Sequence, residues 1–179
     1  MRELPKVGLF VLILLLYSLS GCEKQAMEEV TREQAKAIFD TYAEARNQFK
    51  LDMLDQIYHT DVVVHDCGAP EDIKGLDALK KYYSNTHAAF SNINFSADQM
   101  FIDGDRIICI WTFRAVSTDT FHTPLGSAPP TGKEVTFSGI AIDRLVDGKF
   151  AEEWVYFNVL DPLLQLGFTL VPPQTGGKE

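Results

Sequence analysis

Apolar and polar positions change rhythm three times along this chain. A continuous apolar run, Val7 to Leu16, comes first, behind a short basic start at Arg2 and Lys6. From Ile38 onward, apolar side chains recur as Ile38, Tyr42, Ala45 and Phe49, which predicts an amphipathic helix with one buried stripe. Thr31 and Gln34 ahead of it have capping-box spacing, the hydroxyl and the amide each satisfying an orphan N–H. Leu51 to Tyr58 predicts a second short helix with Leu54 and Ile57 inward. Gly75 opens a third, carrying Leu76, Leu79, Tyr82 and Tyr83 to about Phe90. Between these two, Val62-Val63-Val64 predicts a strand over Asp61 to Asp66, because β-branched residues suit a pleated, half-buried surface.

Beyond Phe90 the period falls to two. Ile93 to Ile102 leads into Asp103-Gly104, and Arg106 to Ser117 leads away; Val135 to Val146 leads into Asp147-Gly148, and Lys149 to Asn158 leads away. Asp-Gly between alternating runs signals a hairpin, since both turn positions need positive φ. Two such hairpins predict a four-stranded antiparallel meander, with residues 118–132 as a long loop holding Pro124, Gly126, Pro129, Pro130 and Gly132. Leu160 to Leu166 reads as a short helix, and residues 169–179, with Pro172-Pro173, as a disordered tail. Helices first and strands afterwards make residues 31–168 one α+β domain, its three N-terminal helices covering one face of a strongly bent sheet.

The leading apolar run is short of the roughly 20 residues that a bilayer-crossing helix needs. With its basic start and the small Ser18, Ser20 and Gly21, it reads as a secretory signal. The stretch resembles a bacterial lipoprotein signal, with Leu19 to Cys22 as the lipobox. That resemblance implies cleavage after residue 21, acylation of Cys22 and a lipid-anchored chain in the bacterial cell envelope, with residues 22–30 as lipidated cysteine and tether. Without Arg2, Lys6 and Glu3, the 16 basic and 25 acidic residues become 14 and 24, so the remainder carries about −10. Such a balance argues against nucleic acid as a partner, because phosphate binding needs clustered Lys and Arg. An oxidising envelope permits a bridge between Cys67 and Cys109, although Cys109, among Ile107, Ile108 and Ile110, reads as a small core residue.

Strand alternation sorts the candidate chemistry. On the last strand Glu152, Trp154, Tyr156 and Asn158 share one face, and Ala151, Glu153, Val155 and Phe157 the other. The first set mixes large aromatics with hydrogen-bonding groups, the lining of a small-molecule pocket, and Trp111 and Phe113 join it from a neighbouring strand. His65 and Asp66 are adjacent on a strand, so they face opposite sides and do not enter one pocket together. Asp143 is expected to pair with a neighbouring Arg or Lys, and His87 and His122 to lie at the surface. His59, Asp61, His65 and Cys67 have no recognisable metal-site spacing, and no metal or cofactor is expected.

In their order, several segments resemble a SnoaL-like polyketide cyclase (ester cyclase) domain of the nuclear-transport-factor-2-like superfamily. They include Asp61 to Asp66, Gly75 to Tyr83, Ala88 to Asn92, Gly104 to Ile108, Trp111-Thr-Phe-Arg114, Pro129 to Gly132, Val135 to Ile142, Gly148 to Trp154 and Leu164 to Gly167. The resemblance implies a cone, a curved antiparallel sheet around a pocket with helices closing its wide end. It implies a metal-free ring closure in which an acidic residue takes a proton next to a carbonyl. The family's acid falls on Asn158, an amide that accepts no proton at neutral pH, and a histidine of the family falls on Ser117. Two readings follow: a tethered pocket protein holding a small apolar ligand, or an enzyme using Glu152 or His65 as base with Arg114, Tyr156 or Asn158 as hydrogen-bond partners. A third makes the exposed sheet face a homodimer interface.

Overall fold

The computed structural model describes residues 29–123 and 126–171. The expected signal, Cys22 and most of the tether lie outside the described residues, as do positions 172–179 of the expected tail. Thr31 caps helix α1 (Arg32–Asn47): its hydroxyl accepts from the Gln34 N–H, and the Gln34 side chain accepts from the Thr31 N–H at 2.8 Å. Of the predicted stripe, Ile38, Tyr42 and Ala45 are buried along α1 together with Ala35 and Phe39, whereas Phe49 lies past the end of the helix and is 54% exposed. Leu51–Gln56 forms a short stretch of 3-10 helix, and strand β1 (Tyr58–Asp66) starts earlier than expected. The two-residue strand β2 (Ile73–Lys74) precedes helix α2 (Leu76–Ala89).

Four long strands follow: β3 (Phe90–Asp103), β4 (Arg106–Ser117), β7 (Glu134–Val146) and β8 (Lys149–Phe157). They form the predicted antiparallel meander within a six-stranded sheet of order β2-β1-β8-β7-β4-β3. The turn at Asp147-Gly148 has positive φ at both residues, 48° and 72°. The other turn is displaced by one position: Asp103 pairs with Arg106, so Gly104 and Asp105 form the loop and only Gly104 needs positive φ. The segment expected as a bare loop contains a small hairpin, β5 (Phe121–Thr123) with β6 (Gly126–Ala128). A short helix α3 (Leu160–Gln165) ends the domain, docked by the Gln165 amide, which bonds both the N–H and the C=O of Thr136.

One pairing is not visible in the pattern. β1 lies parallel against β8, with Val63 opposite Glu152 and Val64 opposite Glu153. The first strand therefore extends the meander beyond its last strand, and the sheet curls around α1 and α2 as a mixed rather than wholly antiparallel cone. The core lies inside that curl, where Phe39, Tyr42, Tyr58, Phe95 and Phe150 pack ring against ring. Cys67 and Cys109 are both free, Cys109 fully buried in this core as a small apolar residue and Cys67 exposed. Among the described residues no helix is long and apolar enough to cross a membrane.

Candidate functional site

Strand alternation carries through most of the sheet, but β8 contains one irregularity that decides the site. Counting back from the Asp147-Gly148 turn, Val146 faces Lys149 and Leu145 faces Phe150, and then Arg144 faces Glu152. Ala151 is the extra residue of a β-bulge, which reverses the faces that follow it. Phe150 and Glu153 thus both point into the cone, and Glu152, Trp154 and Tyr156 point out. The expected inner face of β8 is its outer face.

Inside the cone is a cavity of about 90 Å³. Its apolar wall includes Phe95, Trp111, Phe113, Val155 and Phe157, so two of the expected pocket residues, Trp111 and Phe113, do line it. Trp111 owes its position to a missing side chain: a Cβ on Gly139 would stand 2.3 Å from its ring. The polar wall consists of Arg46, Asp66, Asp143 and Glu153 among four tyrosines, Tyr42, Tyr58, Tyr82 and Tyr83. The sequence pattern singles out none of these polar residues as a site residue.

Asp143 and Glu153 are directly opposed on β7 and β8, 1% and 4% exposed, instead of Asp143 pairing with a cation as expected. Opposed residues on neighbouring strands bring their side chains within about 5 Å at Cβ. Burial and the charge of Glu153 push the Asp143 carboxyl well above the usual carboxylate range, toward its neutral form. Its Oδ2 has no hydrogen-bond partner among the described residues. Burial also raises Glu153, to about 7, against the hydrogen bond that Tyr58 donates to its Oε2 at 2.8 Å. An acid pushed toward its neutral form therefore stands beside a carboxyl raised to about 7, a pairing suited to proton transfer. Asp66 lies at the end of β1, raised by burial and steadied by the Gly68 N–H at 2.7 Å and the Tyr82 hydroxyl at 3.2 Å.

The other expected site residues meet outside the cone. His65 Nδ1 is 2.9 Å from Asp72 and its Nε2 3.3 Å from Glu152, while its ring stacks on Trp154 at 5.4 Å. With carboxylates at both ring nitrogens, only the imidazolium donates to both, and the hydrogen bond to Asp72 leads in raising its pKa. Partial desolvation of Glu152 is outweighed by hydrogen bonds from His65 and from Arg144 at 3.1 Å, so its carboxyl is held below the usual range. Tyr156 is 52% exposed. Asn158 is exposed and its Oδ1 accepts from the Leu160 N–H at the start of α3, so it faces no cavity. Glu152 and His65 do touch, but as an ion pair on the solvent side of the sheet.

A family model for the SnoaL-like polyketide cyclases matches residues 36–166. Among solved structures, TsrD from Streptomyces laurentii superposes with a TM-score of 0.69 at 19% identity, covering 78% of this chain and 98% of its own. A SnoaL-like polyketide cyclase from Agrobacterium tumefaciens gives 0.58 at 20% identity, covering 73% and 95%. An LEH-like epoxide hydrolase from M. tuberculosis gives 0.58 at 16%, covering 75% and 90%. Identities this low show a shared fold and no more. Comparison with curated proteins finds no match.

Proposed function

Taking as premise that this chain belongs to the SnoaL-like polyketide cyclase family, we propose that it is a metal-free acid–base enzyme acting on a small carbonyl compound. One observation carries the reading: the buried Asp143–Glu153 pair, with Asp143 Oδ2 unpartnered, borders an aromatic cavity. The Glu153 carboxylate takes a proton from carbon next to a carbonyl. The C–H bond breaks, its electron pair moves onto the carbonyl oxygen as an enolate, and the Asp143 O–H hydrogen-bonds that oxygen. The proton then returns from Glu153 to a carbon, giving an isomer, or the enolate carbon attacks a second carbonyl of the same molecule, whose π electrons move onto its oxygen, and that alkoxide takes the proton back from Glu153 as the ring closes. Tyr58 keeps Glu153 aimed, and the aromatic wall keeps water from competing for the proton.

The test is deuterium exchange into small ketones and β-dicarbonyls, followed by NMR with the full chain. Exchange above the buffer rate should rise with pH through about 7 as Glu153 ionises. Glu153→Gln should lower it on the order of a hundredfold, as loss of a general base does. Full exchange in both Glu153→Gln and Asp143→Asn would remove the reading. A non-catalytic carrier is less well supported: its argument is the amide at Asn158, whose side chain accepts from the Leu160 N–H outside the cavity, and about 90 Å³ is small beside the ~300–1,000 Å³ of drug-sized sites.

The same proposal keeps the chain tethered to a bacterial envelope membrane through Cys22, on the strength of the basic start, the apolar run and Leu19 to Cys22. Metabolic labelling with a fatty-acid analogue should mark the wild-type chain and leave Cys22→Ala unmarked.

A further inference from the structure

The same cavity is bordered by a buried cation that makes no direct ion pair among the described residues, although the Asp66 and Glu153 carboxyls stand near enough to feel its charge. Arg46 belongs to the buried stripe of α1 and is 8% exposed. Its Nη1 donates to the Tyr42 hydroxyl at 2.7 Å, and its guanidinium lies 3.6 Å from the centre of the Tyr83 ring. Its Nε has no hydrogen-bond partner among the described residues. None of the ion pairs among the described residues includes it. A buried charge is ordinarily paired and fully hydrogen-bonded, because desolvation is costly. Here a hydroxyl and a ring face stabilise the cation without cancelling its charge, and the guanidinium borders the cavity.

The cation is also held in place. The next residue, Asn47, clamps the β3 backbone from both sides, accepting from the Phe95 N–H at 2.6 Å and donating to the Phe95 C=O at 3.1 Å. The end of α1 is thereby pinned to the sheet, and Tyr42 and Tyr83, hydroxyls 3.1 Å apart, fix the guanidinium from either side. A planar fork of donors with an open edge, fixed before any ligand arrives, fits a planar oxyanion.

We infer that the cavity takes a short-chain carboxylate whose carboxylate group rests on Arg46 and whose acidic C–H faces the Asp143–Glu153 wall. The second half of this statement rests on the acid–base reading above; the first half stands on Arg46 alone. Size narrows the class further. A cavity of about 150 Å³ accepts the six heavy atoms of benzene, so the roughly 90 Å³ here encloses about four, and a ligand of about seven needs the lining side chains to give way. A β-keto acid of that length has a carboxylate for Arg46, a carbonyl oxygen for Asp143 and an acidic methylene for Glu153.

Acetoacetate and its neutral isostere acetoacetamide test this with the full chain, by calorimetric titration at neutral pH. The acid should bind at least about tenfold more tightly than the amide, as expected for a charge-assisted, bidentate contact. Arg46→Met should bring the two within about twofold, and Arg46→Lys should keep part of the preference. Equal affinities in the wild type, or no binding of either compound, overturn the inference, and neither result depends on a variant that folds. An acid preference that survives in Arg46→Met also overturns it. Exchange at the methylene separates the two halves. Preference for the acid with no catalysed exchange keeps the Arg46 site and removes the acid–base reading; catalysed exchange of both compounds without preference does the opposite.

Discussion

Glu152 and Glu153 are neighbours on one strand with the same side chain, and they have opposite chemistry. Glu152 faces outward, 29% exposed, between His65 and Arg144, and is held below the usual carboxylate range. Glu153 faces inward, 4% exposed, beside the buried Asp143 carboxyl, and is raised to about 7. The difference is the side of the pleat. On the outer face, solvent and two cationic partners stabilise the charge. On the inner face, burial opposes it and one tyrosine hydroxyl offsets only part of that penalty.

The sharpest way to break the comparison is to neutralise each glutamate in turn. Glu153→Gln should lower catalysed deuterium exchange on the order of a hundredfold, whereas Glu152→Gln should stay within about threefold of wild type, measured side by side by NMR. Equal losses would mean that the pleat does not separate the two roles.

Stability against pH gives the next largest contrast. Glu153 has a folded-state pKa of about 7 against an ordinary 4.5, so the folded chain holds its proton more tightly than the unfolded chain. That contribution is complete below about 4.5 and is lost as pH rises through 7. Across that window each pH step of one is worth ~1.4 kcal/mol. Denaturant titrations should therefore show a loss of about 1–3 kcal/mol between pH 5 and 8, largely absent in Glu153→Gln. Packing offers a parallel test. Gly139→Ala on the inner face forces Trp111 aside and should cost about 1–3 kcal/mol, while Ile140→Ala, next to it on the outer face and 38% exposed, should cost under about 1 kcal/mol.

Replacing His65 is the mildest perturbation. Its folded pKa lies above the ordinary 6.5, so its contribution is complete below that value and disappears as pH rises past the folded pKa. His65→Gln should cost less than about 1 kcal/mol at pH 6 and nothing measurable near pH 9, by thermal melts.

The contrast between the two glutamates also explains what can be read from the chain and what cannot. The capping box, the helical stripe, the meander and the inward Trp111 and Phe113 follow from local spacing, and each is present. Alternation groups the β8 side chains correctly from Glu152 to Phe157, with the bulge at Ala151 lying before them. The wrong group is turned inward because composition chose the face. Trp154 and Tyr156 look like lining and Glu153 like surface, yet Trp154 stacks on His65 outside, while Glu153 is buried. The bulge leaves no mark in the acid pattern: a regular strand would set Glu152 against Asp143, and the bulged one sets Glu153 there. Arg46 escapes notice because a cation on a buried helical stripe reads as its solvated edge until Tyr42 and, from α2, Tyr83 are seen around it.

The parallel contact between β1 and β8 sets the order in which the molecule can be built. His65 and Glu152 are 87 positions apart, and β8 is the last strand to leave the ribosome. Until it does, β1 has no partner on that edge, and the apolar Val62 and Val64 wait with it. Such distant pairing belongs with folding in milliseconds to seconds rather than microseconds. The wall that holds Glu153 is thus among the last parts to form. A chain interrupted before residue 149 would expose a sticky, incomplete cone, the kind of species that holding chaperones recognise.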